Sequence, residues 1–89
     1  MKISDKKKEK ISEQILALLY STSPKTLFTS QVAEEIARDE EFVKKLLITL
    51  REKKLVIEIK KNPQGIVYKR RSRWRLSDAA YISYKNHQS

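Results

Sequence analysis

Apolar residues recur with a helical period in four stretches of the chain and with a period of two in two others. Between residues 5 and 21, Ile11, Ile15, Leu18 and Leu19 fall at i, i+4, i+7 and i+8, which is one helix face. Ser4 or Asp5 can cap its start. STSPKT at 21–26 is a loop, because Pro24 stops the helix, and Leu27 and Phe28 fit a very short strand. Thr29 or Ser30 caps a second helix over 30–38, with Val32, Ala33, Ile36 and Ala37 as a narrow apolar stripe. Asp39 caps a third helix over 40–53, whose inward face is Val43, Leu46, Leu47 and Leu50. Glu40 and Glu41 in its first turn and Lys53 and Lys54 at its end suit the helix dipole. So short a turn between the second and third helices predicts a helix-turn-helix.

Period two takes over at residue 55. In LVIEIKK (55–61), Leu55, Ile57 and Ile59 alternate with Val56, Glu58 and Lys60, which predicts a strand. NPQG at 62–65 holds the only glycine and one of two prolines, and is a turn. A second strand is expected over 66–76. Its even positions are Ile66, Tyr68, Arg70, Ser72, Trp74 and Leu76, and its odd positions are Val67, Lys69, Arg71, Arg73 and Arg75. A hairpin strand with one buried side and one solvated basic side accounts for both compositions. Trp74 belongs to the core. Ser77 and Asp78 open a short last helix over 77–85, with Ala80, Tyr81 and Tyr84 on one side. The element order is that of a small α+β domain, mainly α, spanning residues 1–89 as a single unit.

Charge sharpens this picture. The 89 residues carry a net charge of +9, and residues 59–77 hold seven basic side chains and no acidic one. A block this local implies a polyanionic partner, with nucleic acid favoured over anionic lipid. Lys60, Lys61, Lys69, Arg70, Arg71, Arg73 and Arg75 are the candidate phosphate contacts, and Arg70 and Arg71, nearest the turn, are the candidates for minor-groove insertion. Ser30 and Gln31, at the start of the second helix, are further candidates for holding a phosphate.

Composition excludes much else. There is no cysteine, hence no disulfide and no thiolate metal site, and the single histidine, His87, lies next to the chain end. No pairing of nucleophile and base, no glycine-rich phosphate loop and no metal-ligand spacing is present, so neither catalysis nor a cofactor is expected. No apolar run reaches the ~18 residues of a membrane span, and ILALLY (15–20) is too short for a signal-peptide core. A soluble, intracellular protein without a small-molecule effector is the expectation.

The helix pair SQVAEEIARDEEFVKKLLITLREKK, the following LVIEIKK, the turn NPQG and the close RWRLSDAA together resemble a winged helix-turn-helix domain. The resemblance covers residues 10–85 and rests on element order and spacing. It implies a three-helix core, a two-stranded hairpin wing and a short C-terminal helix. It also implies binding of double-stranded DNA, as in a small transcriptional regulator, with the third helix in the major groove and the wing along the backbone or minor groove. The face of the third helix opposite its apolar stripe carries Glu41, Lys45, Ile48 and Glu52, flanked by Lys44 and Thr49. Lys44, Lys45, Ile48 and Thr49 are therefore the expected base-side contacts. The chain departs from the family where many members place glycine and this one has Lys54. A protein-docking role, with Ile48, Tyr81 and Tyr84 as an apolar patch, and binding of RNA or single strands, with Tyr68 stacking on a base, are the alternatives. The tyrosines of the last helix leave homodimerisation open.

Overall fold

The structure is a computed structural model and describes residues 4–67 and 71–87. Helix α1 spans Asp5–Thr22 and begins where Ser4 Oγ accepts the Lys7 N–H at 3.2 Å. Strand β1 is Leu27–Phe28, and α2 spans Thr29–Ile36. Helix α3 runs over Glu40–Glu52, capped by Asp39 Oδ2 accepting from Phe42 N at 3.1 Å. Strands β2 (Val56–Ile59) and β3 (Arg73–Leu76) precede α4, Asp78–His87.

The helical periodicity is realised in the core. Ile11, Ile15 and Leu19 of α1, Val32 and Ala33 of α2, and Val43, Leu46, Leu47 and Leu50 of α3 are buried together. Leu16 of α1 joins them, while Leu18 is only half-buried against the cluster. Helix α2 starts one residue and ends two residues before the expected bounds. Its end is set by Ala37, which takes φ 55° so that its N–H reaches the carbonyls of Ala33 and Glu34. A left-handed residue satisfies the last carbonyls and cannot continue the helix. Lys54 ends α3 in the same way, at φ 64°, with Leu55 N donating to Leu50 O at 2.9 Å. The lysine in the family's usual glycine position is thus held in a glycine conformation.

The hairpin joins β1 in a three-stranded antiparallel sheet of order β1-β3-β2. Opposite residues of antiparallel strands face the same side, so the pairs Leu27↔Trp74 and Val56↔Leu76 put four buried apolar residues on the helix side. Trp74 is fully buried. An aromatic of this size removes ~150–250 Å² from water, worth roughly 4–6 kcal/mol of transfer free energy. Its indole N–H donates to Thr29 Oγ1 at 2.8 Å, which satisfies both buried groups. The partner face of β2 follows from this register: Val56 and Glu58 point toward the helices, and Ile57 and Ile59 stay half-exposed on the outer face. Ile57 and Ile59 therefore face away from the helices, while Leu55, just before the strand, still packs against the core, because the larger apolar side chains of β3 fix which face is inner.

The second wing strand is shorter than the eleven residues expected from its alternation. Pairing ends at Ile59↔Arg73, and a separate bridge joins Lys61 and Val67 nearer the turn. One residue lies between these pairings on the β2 side and five, 68–72, on the other. The sheet pairing and the tip pairing therefore do not share one register. Ser72 is drawn toward the start of α2 and toward β2: its carbonyl accepts from Thr29 N at 3.3 Å and its hydroxyl donates to Glu58. Tyr68, Lys69 and Arg70 lie outside the described residues.

Ser77 Oγ caps α4 at Ala80 N, 3.2 Å away. The helix packs on α1 through Tyr20, whose ring lies 5.3 Å from that of Tyr81 and 5.5 Å from that of Tyr84. No helix among the described residues is long and apolar enough to cross a membrane.

Candidate nucleic-acid interface

Turning Val43, Leu46, Leu47 and Leu50 inward leaves Glu41, Lys44, Lys45 and Thr49 of α3 exposed. Ile48 is half-buried and packs against the core, so it presents only part of its surface. Between this face and the wing lies an open groove of about 700 Å³. Ser30 lines it at the start of α2, Glu40, Glu41, Lys44 and Ile48 form the α3 wall, and Lys60, Val67 and Arg71 form the wing wall. Lys45, Thr49 and Lys61 are exposed but lie outside the groove lining.

The floor of the groove is a network that the sequence reading did not assign. Glu58, on the inner side of β2, accepts hydrogen bonds from Arg51 Nη1 of α3 and from Ser72 Oγ, the latter at 2.5 Å. Lys60 Nζ stands 4.0 Å from the same carboxylate. Burial pushes the Glu58 carboxyl up. The hydrogen bonds from Ser72 and Arg51 and the charges of Lys60 and Arg51 outweigh it and hold the group below the ordinary glutamate value. A single carboxylate thereby fastens the wing base to α3. The sequence did carry a signal for it: Glu58 is the only acid between Glu52 and Asp78.

The five wing cations among the described residues do not act as one set. Lys60 and Arg71 line the groove, and Lys61 is exposed beside the turn. Arg73 and Arg75 do not enter the groove. Arg73 lies 4.4 Å from the centroid of the Phe28 ring and donates from Nη1 to Thr26 Oγ1 at 3.3 Å. Arg75 donates to Leu76 O at 2.9 Å and pairs with Asp78 at 3.4 Å. Both sit at odd positions of β3, on the outer face of the sheet, where Phe28 and the start of α4 capture them. Arg71 also approaches the Phe28 ring, at 5.3 Å, but stays exposed. Phe28 is thus the residue that sequence reasoning missed on this side, having been read only as part of a short strand.

Gln31 has a structural task as well: its Oε1 accepts from Phe28 N at 2.8 Å, which fixes the entry to α2. Ser30 beside it is exposed to the groove. Among the described residues, no cluster of three or more His, Cys, Asp or Glu could hold a metal ion.

No protein-family model and no curated protein matches the sequence. Solved structures do resemble it. A mutant of MepR from a multidrug-resistant S. aureus clinical isolate matches with a TM-score of 0.72 and 22% identity, over 90% of this chain and 55% of that one. A Lactococcus lactis ZitR mutant in its apo form matches with a TM-score of 0.71 and 23% identity, over 93% and 58%. The S. aureus MepR–DNA complex matches with a TM-score of 0.72 and 22% identity, over 94% and 68%. The chain spans little more than half the length of the first two. At such identities the likeness is one of fold, and the fold is the winged helix-turn-helix.

Proposed function

We propose that this chain is a non-enzymatic module that binds double-stranded DNA and regulates transcription, inside the cell, by occluding or shaping its site. The observation that carries the reading is the open groove between α3 and the wing, lined by Lys44 beside Glu40 and Glu41 on the α3 side and by Lys60 and Arg71 on the wing side. Lys45 and Lys61 extend the basic surface, and Lys69 and Arg70 add to it by sequence. The fold likeness to a MepR–DNA complex supports the same reading. In it, α3 enters the major groove with Lys44, Lys45, Ile48 and Thr49 toward the bases, and the wing follows the backbone. Neither a cofactor nor a small-molecule effector is required.

Fluorescence anisotropy with random duplex pools at two salt concentrations tests this. With about six phosphate contacts, affinity falls by roughly 10³ between about 50 and 200 mM salt. A salt-independent affinity, or none at the lower salt, refutes it. The protein is further proposed to act as a homodimer, because Tyr81 and Ile82 of α4 remain 37% and 56% exposed; sedimentation equilibrium of an Ile82→Asp variant, expected to be monomeric, checks this.

A further inference from the structure

The tip of the wing carries a feature that phosphate binding does not use. Ile66 is 65% exposed and Val67 57%, and they are neighbours in sequence. Neither belongs to the core. The turn that presents them is well fixed. Asn62 Oδ1 accepts from Gln64 N at 3.0 Å and from Ile66 N at 2.9 Å. Asn62 N donates to Ile66 O, and Gly65 N to Asn62 O, both at 2.9 Å. Gly65 has φ +84°, a conformation glycine adopts without strain. The apolar pair therefore projects from a rigid support rather than from a loose loop. Its surroundings on the wing are cationic: Lys60 and Lys61 precede the turn, and Val67 shares the wing wall of the groove with Lys60 and Arg71. An apolar projection within a cationic surface matches a partner that is anionic outside and apolar between its layers, which describes stacked base pairs between phosphates.

We infer that Ile66, supported by Val67, is a wedge that enters the minor groove, partly unstacks a base step and bends the duplex. This rests on the DNA-binding reading above. Apolar wedges of this kind kink DNA by about 20–90° toward the major groove, and TA steps yield most easily. The bend carries the flanking phosphates toward Lys60 and Lys61, so the basic rim and the apolar tip serve one deformation.

The test uses a short duplex of alternating T and A, with a donor and an acceptor dye at its ends and 2-aminopurine replacing some adenines. The intact protein is expected to shorten the end-to-end distance and to raise 2-aminopurine emission, as unstacking does. The Ile66→Ala variant, altered only at an exposed position outside the groove lining and checked by an unchanged melting temperature, is expected to bind with the same salt slope and to lose both signals. Binding by the intact protein without bending or emission change overturns the wedge and leaves DNA binding standing. Retention of both signals by the variant overturns it equally. Failure to bind the duplex at all, with Ile66-dependent binding to phosphatidylserine vesicles instead, overturns the wedge and the DNA reading together.

Discussion

Removing Arg73 and removing the pair Lys60 and Arg71 should have opposite signatures. Lys60 and Arg71 are exposed on the groove wall. Each phosphate contact contributes ~0.9 to the slope of log K against log salt, so over a fourfold change in salt it is worth a factor of about 3.5. Lys60→Ala/Arg71→Ala should therefore reduce the salt sensitivity of duplex binding about 12-fold across that range, with little change in stability. Arg73 instead stacks on Phe28 at 4.4 Å and donates to Thr26. Losing a partly buried cation–π contact and one hydrogen bond costs about 1–2 kcal/mol. In a domain of this size each kcal/mol lowers Tm by about 4–8 °C. Arg73→Ala should thus melt earlier while keeping the wild-type salt slope. Anisotropy titrations at four salt concentrations, beside thermal melts followed by circular dichroism, give both quantities for each variant. The reasoning fails if Arg73→Ala flattens the salt slope as the pair does and leaves Tm untouched.

Further outcomes follow from the same geometry. Lys54→Gly relieves the φ of 64° at the end of α3 and should raise stability by about 1 kcal/mol in urea denaturation. Thr29→Val keeps the shape but takes away the acceptor of the buried Trp74 N–H, and should cost about 1–3 kcal/mol by the same measurement. The carboxyl of Glu58 titrates lower in the folded chain than an ordinary glutamate. Its contribution to stability is then complete above the ordinary glutamate value and is lost as pH falls through the lowered one. Glu58→Gln should flatten the fall of Tm on acidification; a variant that declines as steeply as wild type would show that the Arg51–Glu58–Ser72 network contributes nothing.

Much of the fold was legible along the chain because helix periodicity is a local property. The buried face of α3, the caps at Ser4 and Asp39, and the burial of Trp74 all follow from residue type and spacing, whereas Ala37, expected on the apolar stripe of α2, is exposed as its left-handed cap. The resemblance marked Lys54 as a departure from glycine, but that the lysine still takes the left-handed conformation is known only from the structure. The site was less legible. A run of seven cations announces a polyanion, but a linear charge count cannot say which cations the protein keeps for itself. That depends on Phe28, brought beside Arg73 by β1 pairing with β3 over a separation of more than forty residues. It depends also on Asp78, which holds Arg75 from the first turn of α4. Likewise, period two establishes that a strand has two faces but not which is inner. Register with β3 decided that Val56 and Glu58 turn inward, and so placed the one acid between Glu52 and Asp78 where Arg51 could meet it. Sequence alone thus determined the helices, the hairpin and the excess of positive charge on it. Only the tertiary structure decided which basic groups stay on the groove wall, because opposing side chains from distant segments compete for the same charges at short range.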